Sequence, residues 1–429
     1  MVGSFAAILG LSRMADRIER GHPGYNHQSG GSQALMKRVL LEIVRLDRAA
    51  AWTFVLCCLG TAQPQTHIGA EQCRGCHPLQ FERHSRSSHA HSMYPAADHP
   101  MASSFFPTAQ LLRKPAYHFQ FSRLGKQFRV QAFDSDNVLE IPIEWAFGAG
   151  QQAVTFVTRL NEDWYLEHYY SYYTALRALG PTPGHEAIVP KTLPEAMGLP
   201  YKSLQASTGI KGCFGCHSTG PVSIGANQEI QPAELGVRCE ACHGPGSLHV
   251  EAAKQRQFAR ARTLIERPGR LPSADLNRVC GICHRLPPTD GASIDWGYAW
   301  NVRHQPVYLS QSACFKEGAL SCLACHDPHG PLQRNDAVYY DQRCRSCHGP
   351  AMLRPSPEAA RKTRSARPPT AICEMRTPAN CVDCHMPRVS PQAGLVFSNH
   401  WIGIYGTGEK LKPLMRGGTG GTRKDSVIP

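Results

Sequence analysis

The pentapeptide Cys-x-x-Cys-His occurs seven times in this chain of 429 residues, and no other feature limits so strongly what the chain can fold into. The copies open at Cys73, Cys213, Cys239, Cys280, Cys322, Cys344 and Cys381 and reach their second cysteines at Cys76, Cys216, Cys242, Cys283, Cys325, Cys347 and Cys384. Their histidines are His77, His217, His243, His284, His326, His348 and His385. Two thiols on one tight turn can form thioethers to the two vinyl groups of a haem, and the adjacent imidazole then falls under the iron as proximal ligand. Structural zinc also uses Cys-x-x-Cys, but it does not require a histidine directly after the second cysteine, and all seven copies have one. The motif reads as covalent haem c attachment, seven times.

Fourteen of the 18 cysteines are spent in this way, which leaves Cys57, Cys58, Cys314 and Cys373. Haem attachment of this type on so cysteine-rich a chain points to a compartment outside the cytoplasm. The N-terminus agrees: Lys37, Arg38, Arg45 and Arg48 precede a short apolar core, Ala49 to Leu59, and small residues at 60–62 that suit cleavage. The product is expected to begin at Met36 and to lose residues up to 62 as a signal peptide, giving a periplasmic or otherwise exported protein that is soluble after cleavage. No small-residue lipobox precedes Cys57 or Cys58, which disfavours lipidation there. The formal charge of +13 is not a nucleic-acid footprint. Residues 1–62 hold seven Lys/Arg against four Asp/Glu, so +10 remains beyond them, and two propionates per haem would take up most of it.

About 365 residues then serve seven haems, roughly fifty each, too few for a separate large apolar core. The porphyrins are expected to be much of the core, wrapped by short helices and irregular loops. Successive motifs open 140, 26, 41, 42, 22 and 37 residues apart, and the long first gap differs from the rest. Within it Tyr117 to Phe121, Gln127 to Phe133, Val138 to Ile143, Ala153 to Thr158 and Trp164 to Tyr170 alternate apolar and polar residues between turn signals. This predicts a β-meander inserted between the first and second haem sites. The expected organisation is a leader over 1–62, a first haem segment over 63–110, a β-rich insert over 111–205 and a six-haem region over 206–429. Within the last, residues 350–369 read as a basic, solvated linker.

Beyond the motifs, twelve histidines follow residue 62, more than the seven irons need as sixth ligands. His329 lies three residues after His326, and His249 six after His243; neither easily reaches the far face of its own haem, so each is expected to serve a neighbouring one. His89 and His400 follow the same logic. His304, His168 and His185 complete the expected set, with His91 and His84 as substitutes.

These stretches resemble the multihaem cytochrome c family that includes the tetrahaem cytochrome of ammonia oxidisers and, more distantly, hydroxylamine oxidoreductase and pentahaem nitrite reductase. The likeness rests on GAEQCRGCHPLQFERHSRSSHAHSM, AFGAGQQAVTFVTR, GCFGCHST, VRCEACHGPGSLHV, CFKEGALSCLACHDPHG and NCVDCHMP followed by FSNHWI. It implies a mainly α and irregular fold built around closely stacked haem pairs, and distal ligation by His89, His249, His329 and His400. Two departures matter. No Cys-x-x-Cys-Lys occurs, and no histidine lies between His348 and His385, where many relatives are His-rich. That segment holds Cys373 and Met375 instead. Cys373 is expected to pair with Cys314 in a disulfide; the alternative is that Cys373 or Met375 takes an axial position.

The expected function is an exported seven-haem electron carrier between redox partners, among them a membrane-bound electron-transfer complex. The alternative is an oxidoreductase acting on a small nitrogen or sulfur compound at one haem of open coordination.

Overall fold

A computed structural model describes residues 64–106, 110–113, 117–203, 209–286, 288, 293–318, 320–348 and 380–414. The leader with Cys57 and Cys58, the 350–369 linker, and Cys373 with Met375 lie outside the described residues. Among the described residues no helix is long and apolar enough to cross a membrane.

Two antiparallel sheets form between the first and second motifs. The first is a meander of β2 (Gln110–Arg113), β3 (Tyr117–Leu124), β4 (Gln127–Phe133) and β5 (Val138–Ile143), joined in the order β2-β3-β4-β5. Strict alternation explains its one-sided burial: Tyr117, Phe119 and Phe121 of β3 and Phe128, Val130 and Ala132 of β4 point inward while their neighbours stay wet. At the β4–β5 turn the Asp134 carboxylate accepts from the backbone N–H of Asp136 and Asn137 at 3.0 and 2.8 Å, an Asx turn.

The second sheet runs β1-β6-β7-β8-β10, from β1 (Met93–Pro95), β6 (Trp145–Phe147), β7 (Ala153–Arg159), β8 (Trp164–Tyr173) and β10 (Gly198–Lys202), with β9 (Ala178–Pro181) also on β8. As the shared strand, β8 is buried almost throughout, and its sequence WYLEHYYSYY is correspondingly aromatic on both faces. The inward rows meet in one aromatic core, where Phe105 lies 5.1 Å from Phe156 and 5.5 Å from Tyr172, and Phe106 stacks on Phe121 at 5.2 Å.

Sheet is not confined to the expected insert. β1 belongs to the first haem segment, and a hairpin of β11 (Ser218–Ile224) and β12 (Ile230–Leu235) links the second motif to the third. Elsewhere the motifs sit on short helices: Ile210–His217, Cys239–His243, Ser273–His284, Ala337–His348 and Cys381–His385 each end on the motif histidine. One helical turn explains why. Residues i, i+3 and i+4 share a face, so two thiols and an imidazole emerge together.

Phe156 is fully buried between both sheets. Phe156→Ala should destabilise the β region by about 3–5 kcal/mol, read as a lower denaturation midpoint by far-ultraviolet circular dichroism, without loss of covalent haem.

Candidate haem-binding site

A continuous cavity of about 3510 Å³ is lined by all seven motif histidines and by every motif cysteine except Cys213. Ordinary small-molecule pockets are about 300–1,000 Å³. Its walls carry large apolar side chains that nothing else covers: Ile282 is 73% exposed, Leu414 62% and Phe258 60%. Such surface suits flat apolar macrocycles rather than water.

Across this space the imidazoles stand in pairs. The ring centroids of His77 and His249 are 6.5 Å apart, those of His284 and His89 6.1 Å, those of His243 and His329 5.9 Å, and those of His326 and His400 6.2 Å. Two metal–imidazole bonds of about 2.0 Å, plus the reach from each nitrogen to its ring centre, put trans imidazoles about 6 Å apart. The spacing therefore fits one iron between the rings of each pair. Among the described residues no second imidazole stands at this spacing from His217, His348 or His385; the His217 ring meets the edge of Phe147 at 5.4 Å.

Backbone carbonyls orient these rings. Nδ1–H donates to a carbonyl oxygen in His217 (Ser92, 3.0 Å), His243 (Glu266, 2.8 Å), His249 (Ala261, 2.8 Å), His385 (Gly403, 2.8 Å) and His400 (Ser398, 2.9 Å). That tautomer leaves the Nε2 lone pair free for a metal. Burial lowers the pKa of His89, His217, His284 and His326, and that of His400 to about 4, so these rings are neutral near pH 7. The donor set fits haem c: thiols for the vinyl groups, neutral imidazoles for iron, and Arg238, Arg262, Arg334 and Arg343 in the lining for propionates.

Local sequence explains the placement of the partner rings. Asp327 accepts from the backbone N–H of His329 at 2.9 Å and pairs with Arg83, which fixes the Cys-His-Asp-Pro-His turn. Buried Ser312 donates to the His400 carbonyl at 3.0 Å and accepts from Ile402 N–H at 2.8 Å. Gly236, at φ +79°, lets β12 pass the His89 loop so closely that a Cβ there would lie 2.3 Å from the Ala90 carbonyl oxygen. Sequence reasoning had no signal for Ser92, whose hydroxyl also donates to the His217 carbonyl at 2.9 Å.

Thiols of different motifs also meet as free thiols: Cys73 with Cys239, Cys216 with Cys283, and Cys280 with Cys322, each pair joined by a hydrogen bond that lowers the pKa of Cys239 and Cys216 in the first two. Leftover Cys314 lines the cavity too, its thiol pushed up by burial.

Three expected ligands are not brought to the cavity. His168 lies within the β core on β8, its Nε2 2.7 Å from Thr158 Oγ1. His185 spends its Nε2 on Glu167 Oε2 at 3.1 Å, and His304 faces the Arg285 guanidinium at 3.3 Å. Of the substitutes, His84 lines the cavity, whereas His91 is bonded to Tyr94. The physical reason for His168 is the strand itself, whose alternation turns that side chain into the aromatic core.

A family model described as cytochrome c554 and c-prime matches residues 191–244, which hold the second and third motifs. Over 193 residues the chain is 23% identical to multiheme cytochrome MtrA of Shewanella baltica (strain OS185), a match covering 42% of this chain and 47% of that protein. The chain thus spans about half the length of the curated relative it matches. The crystal structure of outer cell wall cytochrome OcwA aligns over 78% of this chain and 79% of its own at 15% identity, with a TM-score of 0.39, too loose a likeness to define the fold. Motifs, site chemistry and these likenesses together support a multihaem c-type cytochrome with covalently bound haem c.

His168 is fully buried, and desolvation, followed by the charge of His185, lowers its pKa to about 3. Unfolding frees it to bind a proton below about pH 6.5. Its contribution to stability should therefore fall as pH drops from about 6.5 towards 3. His168→Gln should flatten that part of the midpoint-against-pH curve; an unchanged slope would assign the acid sensitivity elsewhere.

Proposed function

We propose that the chain carries seven covalent haems c and works as an exported electron carrier between redox partners, one of them a membrane-bound complex. Bound haem supplies reversible one-electron chemistry at iron. The chain supplies ligands, spacing and exclusion of water. In this reading His249, His89, His329 and His400 are the distal ligands opposite His77, His284, His243 and His326, and the proximal ligands of the other three haems are His217, His348 and His385. The carrying observation is the set of four imidazole pairs at 5.9–6.5 Å, each drawn from two different motif segments. Iron held on both sides by imidazole favours electron transfer over substrate binding.

The thiol contacts support close neighbours at the first and third, second and fourth, and fourth and fifth motifs. A conduit needs such contiguity.

One observation favours the second reading, an oxidoreductase acting on a small nitrogen or sulfur compound. His217 is half-buried and oriented by Ser92, yet has no opposing imidazole among the described residues. A haem there could keep an open position.

Intact mass of protein matured in a haem-attaching host should equal the cleaved chain plus seven haems; fewer at full occupancy would refute the count. His329→Ala should convert one haem from low to high spin in the electron paramagnetic resonance spectrum while the mass still shows seven, and an unchanged spectrum would make His329 a bystander. A high-spin ferric signal already present in the native protein would favour the oxidoreductase reading.

A further inference from the structure

Glu240 is the first intervening residue of the third motif and is only 4% exposed. A carboxylate at that depth persists when donors occupy its lone pairs. Here they do. Oε1 accepts from Gly246 N–H at 2.7 Å and Ile68 N–H at 3.1 Å, and Oε2 from Gly69 N–H at 2.8 Å and Ile68 N–H at 3.0 Å. Every one of these partners is a backbone donor, so the anionic form uses all the contacts it is offered.

The donors come from two places. Ile68 and Gly69 lead into the first motif, and Gly246 follows the histidine of the third. No cation among the described residues forms an ion pair with Glu240, since nearby Arg238 turns to Glu234 at 3.7 Å. The result is a buried anion balanced only by peptide dipoles, set where the first and third motifs meet. Its field reaches the first motif: after the bond to Cys239 and burial, Glu240 is among the groups that push the Cys73 thiol up.

We infer that Glu240 is a fixed anion that lowers the reduction potentials of the haems held at Cys73–His77 and Cys239–His243. The inference rests on the haem reading above. Each ferric iron takes one electron on reduction, from dithionite in a titration, and loses one unit of positive charge; a neighbouring anion stabilises the ferric form. Burial keeps this field from salt screening.

The test is a spectroscopic redox titration of the full haem-loaded protein and its E240Q, E240D and E240N variants. E240Q should raise the reduced-to-oxidised ratio of two haems on the order of tenfold at fixed potential, about 59 mV for a one-electron couple. E240D should titrate near the native protein. Should E240Q assemble poorly, the matched pair E240D and E240N makes the same comparison at shorter reach. A neutral variant that titrates as the native protein does, or an E240D shift as large as that of E240Q, would overturn the inference and leave a clamp without an electrostatic role. Peptide mapping of haem on Cys73/Cys76 and Cys239/Cys242 in the same samples separates the two failures. Haem absent there in the native protein refutes the haem reading; haem present with unshifted potentials refutes only the role of Glu240.

Discussion

The opposition of imidazoles from different motif segments is the constraint on which the rest of the cavity depends. His249, which follows the third motif, faces His77 of the first; His329, which follows the fifth, faces His243 of the third; His400, beyond the seventh, faces His326 of the fifth. His89 runs the other way, from the first motif to His284 of the fourth. None of these four motifs is thus a self-contained module, although each Cys-x-x-Cys-His turn is local. An iron between each pair would tie residues far apart in sequence more directly than any hydrogen bond does, and metal affinity would become folding free energy.

Two kinds of interior follow. The β region has its own apolar core, centred on Phe105, Phe119, Phe128 and Phe156, and its stability is the ordinary hydrophobic kind. The motif region differs: helices Ala337–His348 and Cys381–His385 bury no residue, and Ile282, Phe258 and Leu414 point into the cavity instead. Those side chains are left mostly exposed by the protein itself, so their burial would depend on the cofactors. Backbone carbonyls and polar side chains then do the fine placement, with Ser92, Ser312 and Glu240 each joining segments that are remote in sequence.

The seven motifs were legible because Cys-x-x-Cys-His is a local chemical unit, complete within five residues and one helical turn. The meander strands were legible for a similar reason, since alternation such as that of Tyr117, Phe119 and Phe121 records one-sided burial along a single strand. His168, expected as a sixth ligand, is buried against Thr158 instead, because a histidine on an aromatic strand carries no mark of which neighbour its face will meet. Three residues of sequence separation also favour no particular distant partner for His329. Its placement opposite His243 needs Asp327, Arg83 and the fold of the third motif together.

By itself, then, the sequence determined the cofactor chemistry and the positions of the motifs suited to it, because the two thiols and the imidazole of each are neighbours in the chain. Only the tertiary structure decided which imidazole faces which, which histidines are withdrawn into the β core, and where Glu240 is buried. Those are relations between segments as much as 195 residues apart, as between His89 and His284. They are set by packing and by the pairing of backbone groups, neither of which leaves a local signature.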